Sequence, residues 1–414
     1  IYSIKDDSRE GFPTWTPDDK KLAFISDAKG RGQVVIQEFQ GEERTFLKLE
    51  KDEEVPSESK AVWGPRGDKV YYVVSKHSRT TVHGHPIEGE KEPALPFPMG
   101  TVSLPKISKD EKIMVALHSS MTSPPGIYLH KIVSKTVNLL TPKDYKVDLT
   151  RLVNPQSVWY KSLDGRDIHG WYLPAVSEIT PHPAVIFAHG GPWGQVYDEW
   201  AVHGVIALQV FSQSGFAVFA PNFRGSTGYG AEFQSLDIGD PGGGDLEDVV
   251  CAADWLRKQP NIDKSKIAIM GGSYGGYMTL IALTKKPQAF AAGVSLVPVV
   301  DWLEMYELSD VAFRAFMDTL LGGTPSEKEA LYRDRSPITH AANIKAPVMI
   351  MAGKQDYRCP IRPIEKFVKK LKEMNHPHEL ALEEKAGHIS AFMKWEESIP
   401  LFTRIINYFK KVLT

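Results

Sequence analysis

The sequence predicts a two-part chain: residues 151–414 as an α/β domain with a mostly parallel sheet and flanking helices, preceded by residues 1–150 as an incomplete or small β-propeller. Three observations lead there. From about Asn154 onward, apolar strand-like runs alternate with amphipathic helical stretches, the pattern of a sheet covered on both faces. Before about Thr150, short β-rich runs alternate with turn clusters and helical periodicity is scarce. Within that first region a turn-plus-strand pattern recurs at intervals of about 45 residues, the length of one four-stranded blade.

Composition sets the frame for both parts. The 414 residues allow two or three domains, and 42% hydrophobic with 24% charged content is that of a globular chain with ample apolar surface for a core. With 49 basic and 51 acidic residues the net charge is −2, so no global field favours nucleic acid or an anionic membrane. No apolar run approaches the roughly 18 residues of a membrane span. Cys251 and Cys359 are too few for a disulfide framework or a thiolate zinc site, which suits a reducing compartment and predicts a cytoplasmic protein.

The repeat in the first part starts as Trp15-Thr16-Pro17-Asp18-Asp19-Lys20-Lys21, returns as Trp63-Gly64-Pro65-Arg66-Gly67-Asp68-Lys69, and a third time, more weakly, as Ile107-Ser108-Lys109-Asp110-Glu111-Lys112-Ile113. Three blades are the expectation. Ile1 to Ile4 reads as the last strand of a preceding blade, so the segment is expected to be either an incomplete propeller or an unusually small one. Blades left without neighbours expose strand edges, which favours a homo-oligomer. The acidic run Lys51 to Glu54 reads as a solvated charge cluster. His83-Gly84-His85, like His376-Pro377-His378 later, lacks an obvious third ligand, so no metal site is expected.

In the second part, Asp164-Gly165 is a turn dipeptide between Gln156–Ser162 and Ile168–Leu173 and predicts an opening hairpin. Buried strands are expected at 184–188, 217–220, 266–270, 291–296, 347–351 and 379–383, with helices at 245–258, 274–284, 361–374 and 395–412. Asp245 is expected to cap its helix. Pro241 to Gly244 lacks the Gly-Lys-Ser/Thr ending of a phosphate loop and reads as a flexible connection.

The chemistry centres on Lys266 to Tyr277, which reads as strand, Gly271-Gly272-Ser273-Tyr274-Gly275, then helix. That context is the nucleophile elbow of an α/β hydrolase, in which the serine stands above the C-terminal edge of the sheet. A serine hydroxyl is a weak nucleophile at neutral pH and needs a base, itself oriented by an acid, in the chain order Ser, Asp or Glu, His. His388 follows the last strand and emerges on the same edge as Ser273; His376 and His378 precede that strand and point to the opposite edge. Asp356, after the 347–351 strand, is the acid candidate, and Asp301, after the preceding strand, competes with it. His189-Gly190-Gly191 follows the first parallel strand and matches the loop that supplies one oxyanion N–H, with Tyr274 N–H supplying the other. His189 itself is expected to hold this loop by hydrogen bonding. Trp193, Tyr229, Tyr274 and Trp302 are available to line an apolar pocket near Ser273.

Five blocks together resemble the prolyl oligopeptidase family of serine peptidases, in particular its acylaminoacyl-peptidase branch: His189-Gly190-Gly191-Pro192, Asn222 to Gly230, Gly271 to Gly276, Asp356-Tyr357-Arg358-Cys359-Pro360 and Gly387-His388. The resemblance implies a catalytic α/β-hydrolase domain with an N-terminal propeller of more blades than three, and no cofactor. It implies Ser273, Asp356 and His388 as the triad, Gly191 and Tyr274 as oxyanion donors, and Arg358, with Trp193, in substrate binding. The expected substrate is a short peptide or an acylated amino-acid derivative, cleaved through an acyl-enzyme. Two alternatives stand beside this: a carboxylesterase using the same triad, and a propeller-based binding protein whose hydrolase half is inactive.

Overall fold

The computed structural model describes residues 9–142, 145–201, 205–388 and 395–413. The strand read at Ile1 to Ile4 lies outside the described residues. The chain divides into two compact units: Ile1–Leu152 together with Tyr197–Ala201 and Thr227–Ser235, and Val153–Val196, Val202–Ser226 and Leu236–Thr414.

The first unit holds three small antiparallel sheets, the arrangement expected of an incomplete propeller-like region. The first is β1 (Glu10–Trp15), β2 (Lys21–Ser26), β3 (Gln33–Glu38) and β4 (Arg44–Phe46), in that order. The second is β5 (Val62–Trp63), β6 (Lys69–Lys76) and β7 (Arg79–Pro86). The third is β8 (Thr101–Ile107), β9 (Ile113–Ser120), β10 (Ser123–Lys131) and β11 (Thr136–Leu139). The sequence repeat is one turn built three times. In each copy the N–H of the residue after the aromatic or isoleucine position donates to the carbonyl five residues on: Thr16 to Lys21 (2.9 Å), Gly64 to Lys69 (2.8 Å) and Ser108 to Ile113 (2.8 Å). The fourth residue of each turn, Asp19, Gly67 or Glu111, takes a positive φ of 59°, 72° or 55°, which short polar residues and glycine adopt most readily.

β6 is apolar on both faces because it belongs to two cores. Val70, Tyr72 and Val74 pack with Ala23, Ile25, Val34 and Ile36 of the first sheet, while Tyr71 and Val73 pack with Val82, Val102, Met114 and Ala116. A continuous apolar strand flanked by sheets on either side follows from side chains alternating across the pleat.

The Lys51 to Glu54 run is solvated only at its start, at Lys51. Glu53 and Glu54 are buried at 5% and 4% exposure. Glu53 forms an ion pair with Lys91 and accepts the Glu50 N–H at 2.9 Å, and burial pushes the Glu54 carboxyl up to about 7. The local charge pattern cannot reveal a partner 38 residues further on. The paired histidines are spent on hydrogen bonds: His83 Nδ1 lies 2.9 Å from the Glu92 carbonyl, and His376 Nε2 lies 2.9 Å from the Ala346 carbonyl.

The second unit is built on one eight-stranded sheet. Its strands are β12 (Gln156–Lys161), β13 (Asp167–Leu173), β14 (His182–Ala188), β15 (Ala217–Asn222), β16 (Ile262–Gly272), β17 (Ala292–Leu296), β18 (Val348–Gly353) and β19 (His378–Glu383). Their spatial order is β12-β13-β15-β14-β16-β17-β18-β19. The hairpin predicted at Asp164-Gly165 joins β12 and β13, β13 runs antiparallel to β15, and all remaining pairs are parallel. β15 and β18 are buried at every residue, as parallel strands covered on both faces must be. The order reverses between β14 and β16, so the crevice beyond their C-terminal ends is where such a sheet binds its ligand. The expected helices form at Gly244–Arg257, Tyr274–Lys285, Ile361–Glu373 and Trp395–Val412, and further ones at Val205–Gln213, Trp302–Leu308, Val311–Leu321 and Pro325–Asp334. Among the described residues no helix is long and apolar enough to cross a membrane.

Pro241 to Gly244 is a packed turn rather than a flexible connection: the Tyr277 hydroxyl donates to the Pro241 carbonyl at 3.1 Å. Asp245 does not cap its helix. The helix starts one residue earlier, and Asp240 Oδ2 accepts the Gly244 N–H at 2.7 Å.

Candidate active site

Ser273 stands between β16 and the Tyr274–Lys285 helix with φ 56° and ψ −117°. This conformation is sparsely populated for a residue with a Cβ and costs roughly 1–3 kcal/mol, which the surrounding packing must hold. The Ser273 N–H donates to the Leu296 carbonyl of β17 at 2.9 Å, and its own carbonyl accepts the Tyr277 N–H at 2.9 Å. Gly275 is required by close approach: a Cβ there would lie 2.1 Å from the Ala188 carbonyl oxygen at the end of β14. The tightness of the turn is therefore set by the backbone of two adjacent strands.

The candidate base and acid, His388 and Asp356, lie in the loops after β19 and β18. Ser273 Oγ–H donates to His388 Nε2 at 2.9 Å, and His388 Nδ1–H donates to Asp356 Oδ2 at 2.8 Å. The other oxygen of Asp356 accepts the N–H groups of Arg358 (2.9 Å) and Cys359 (2.8 Å). The Asp356 side chain is 1% exposed and that of His388 is 17% exposed, so the carboxylate is sealed and the imidazole reaches the cavity. The two loops are tied together, since Gln355 N–H donates to the Ala386 carbonyl at 3.0 Å. Asp301 is elsewhere engaged: its carboxylate accepts the Leu303 and Glu304 N–H groups at 3.0 and 3.2 Å and caps the Trp302–Leu308 helix. Asp356, His388 and Cys359 also cluster closely enough to suggest metal ligands, but the hydrogen bonds of the first two already define their ring and carboxylate orientations.

The loop after β14 closes the other side. His189 Nδ1–H donates to the Gly190 carbonyl at 2.8 Å, Nε2 lies 2.9 Å from Ser226 Oγ, and the ring stacks on Phe223 at 4.2 Å. Burial lowers its pKa to about 4, so it is neutral at physiological pH and holds the loop rather than exchanging protons. Gly191 and Tyr274 line the same cavity of about 520 Å³ as Ser273 and His388, and Asp356 stands behind His388, so the five residues implied for triad and oxyanion site lie together. Arg358 lies at this cavity too, with its guanidinium 5.0 Å from the Phe313 ring centroid and 3.4 Å from Asp310 Oδ2. Trp193 stands behind the lining, edge-on to Phe316 at 5.3 Å, with its indole N–H donating to Asp237 at 3.1 Å. Of the aromatics expected around the pocket, Tyr274 and Trp302 line it, while Tyr229 belongs to the first unit, where its hydroxyl lies 3.0 Å from Ser78 Oγ.

The rest of the wall was not anticipated. Val299, Met305, Phe313, Phe316 and Tyr357 complete an apolar, aromatic chamber, and most of them sit on or beside the Trp302–Leu308 and Val311–Leu321 helices. The signals for those helices are their caps, Asp301 and Asp310, which precede short apolar runs.

A profile described as the prolyl oligopeptidase family matches residues 203–414. An uncharacterized peptidase, YuxL, of Bacillus subtilis is 30% identical over 80% of this chain and 50% of its own length. Dipeptidyl aminopeptidase BIII of Pseudoxanthomonas mexicana is 31% identical over 70% of this chain and 43% of its own. The uncomplexed acylaminoacyl peptidase of Pyrococcus horikoshii superposes with a TM-score of 0.81 at 25% identity, covering 96% of this chain and 62% of that one. The chain thus spans half or less of the length of those two curated relatives.

Proposed function

Because the chain belongs to the prolyl oligopeptidase family, we propose that it is a serine peptidase of the acylaminoacyl-peptidase type, hydrolysing short peptides or acylated amino-acid derivatives. The observation that carries this reading is the unbroken line of hydrogen bonds from Ser273 through His388 to Asp356 at the elbow. Ser273 Oγ attacks the scissile carbonyl as His388 Nε2 takes its proton, and Asp356 stabilises the imidazolium. The resulting oxyanion is held by the N–H groups of Gly191 and Tyr274, each such donor contributing about 3 kcal/mol to transition-state stabilisation. His388 then returns the proton to the leaving amine, and water deacylates the serine by the reverse sequence.

The chamber lined by Trp302, Met305, Phe313 and Phe316 favours a large apolar side chain beside the scissile bond. We expect an acyl-phenylalanine or acyl-leucine anilide to be turned over far faster than its aspartate or lysine counterpart. Equal rates for all four would reject the chamber as the specificity site. Turnover of a short-chain ester with none of any anilide would instead identify a carboxylesterase, and failure of Ser273 to react with a fluorophosphonate would leave a binding protein.

Arg358 supports substrate backbone binding by its place at the cavity. Arg358→Ala is expected to raise KM about tenfold with kcat nearly unchanged, the signature of binding equal in ground and transition states. Steady-state kinetics on a blocked peptide checks it, and a fall in kcat with KM unchanged would mean that its contact is made only in the transition state. The two free thiols, Cys251 and Cys359, suit a reducing compartment. A cytoplasmic location and self-association through open sheet edges belong to this reading, to be checked by fractionation and sedimentation.

A further inference from the structure

Two carboxyl groups that the proposed chemistry does not use are fully buried beside the oxyanion loops. Asp245 lies in the first turn of the Gly244–Arg257 helix, where backbone N–H groups and the helix dipole favour negative charge. It accepts the Leu246 N–H at 2.8 Å, and its Oδ2 accepts the Tyr274 hydroxyl at 2.6 Å. Asp237 accepts the Trp193 indole N–H on Oδ1 at 3.1 Å, but its Oδ2 is buried with no hydrogen-bond partner among the described residues. The backbone at Gly225 is packed onto that oxygen, and a Cβ there would lie 2.6 Å from it.

These surroundings divide the two groups. A carboxylate that receives several hydrogen bonds keeps its charge, whereas a buried carboxyl with one bare oxygen near another carboxylate keeps its proton. Burial and then the Asp245 charge push Asp237 up to about 7, while burial raises Asp245 to about 6 against the pull of the Tyr274 hydroxyl. The other ionisable groups around the pair are Asp240, paired with Arg335 at 2.6 Å, Asp248, paired with Arg224 at 2.7 Å, and the hydroxyls of Tyr274 and Tyr277.

We propose that Asp237 and Asp245 are positioning residues for the oxyanion site: a buried carboxyl pair carrying one negative charge, which holds one donor arm through Trp193 and the other through Tyr274. The inference rests on the reading of Gly191 and Tyr274 as the donors. Trp193 is two residues from Gly191, and Tyr274 contributes its own N–H, so each carboxyl fixes the side chain that orients one arm. A second negative charge in the same buried space would repel the first and loosen both arms. Asp237 has a raised pKa, so the stabilisation from its proton is complete below the ordinary carboxyl range and lost as pH rises through about 7. The rate therefore falls on the alkaline side of neutrality, whereas the stabilisation is lost between the ordinary carboxyl range and about 7 and is flat above it.

The test is the rate of Ser273 acylation by a fluorophosphonate, with ester turnover and melting temperature, from about pH 5 to 9 in the wild type, Asp237→Asn and Tyr274→Phe. Asp237→Asn keeps an acceptor for Trp193 but cannot ionise. In the wild type, acylation is expected to fall about tenfold per pH unit above the ionisation; in the variant it holds a plateau, and its melting temperature falls less steeply than the wild type's between about pH 5 and 7. Tyr274→Phe keeps the backbone N–H and loses only the tether, so kcat is expected to drop about tenfold with KM nearly unchanged. An alkaline limb unaltered in Asp237→Asn, or an unaltered kcat in Tyr274→Phe, overturns the proposal. If Asp237→Asn does not fold, the Tyr274→Phe kinetics decide. Absence of acylation in the wild type at every pH would instead remove the reading of Ser273, and the proposal with it.

Discussion

Replacing Ser273 by alanine is expected to lower kcat for peptide, anilide and ester substrates by about a million-fold, with KM changed little, because it removes the proposed nucleophile. The physical basis is local. Alanine leaves His388 hydrogen-bonded to Asp356 through Nδ1 at 2.8 Å, and removes only the oxygen that Nε2 faces at 2.9 Å. The backbone of the elbow is retained, since its conformation is imposed by the Ser273 N–H bond to Leu296 and by the approach of Gly275 to Ala188. Circular dichroism and melting temperature should therefore match the wild type. Full turnover by a folded Ser273→Ala protein would show that the nucleophile lies elsewhere.

Asp356→Asn is expected to lower kcat by about ten thousand-fold, again with the fold retained. The carboxylate accepts three hydrogen bonds: one from His388 and two from the N–H groups of Arg358 and Cys359. An amide can keep the backbone pair on its oxygen only by turning its NH₂ toward Nδ1. That orientation selects the tautomer with the proton on Nε2, which then faces Ser273 as a donor and cannot accept its proton. The contrasting substitution is Asp301→Ala, which removes a helix cap and should cost about 1 kcal/mol of stability while leaving the triad geometry in place. Measured side by side, loss of rate in the Asp301 variant but not in the Asp356 variant would reverse the assignment of the acid.

The parts of this molecule that were legible in the sequence are those in which a local pattern carries its own physical cause. The strands around Ser273 are apolar runs because both of their faces are covered, and the elbow is a glycine-rich turn because backbone from β14 passes within van der Waals reach of it. Asp356 and His388 were legible through topology: in a parallel sheet, loops that follow strands share one edge. The threefold repeat of the first unit was visible because one hydrogen-bonded turn demands the same residue types each time.

What escaped sequence reading depends on partners distant along the chain. The Pro325–Asp334 helix buries only Tyr332, so it has almost no apolar stripe to detect; its signal was the Thr324 to Glu327 capping box with Pro325 at its start. Glu53 reads as solvated until Lys91 is brought to it. Asp237 and Asp245 belong to no motif, and Asp245 reads as an ordinary helix cap. Their significance depends on Trp193 and Tyr274 converging from two other elements, information that no window of sequence contains.

The double-faced burial of β6 has a consequence for how the first unit comes apart. Its two cores share the middle sheet, with one drawing on the first sheet and the other on the third. Each outer sheet can open by exposing a single core, whereas the middle one cannot open without dissolving both. Repeats coupled only to their neighbours fray from the ends inward. Amide hydrogens in β6 should therefore be the last of this unit to exchange with solvent, and Val73 and Val74, facing opposite ways, each hold a different half of it in place.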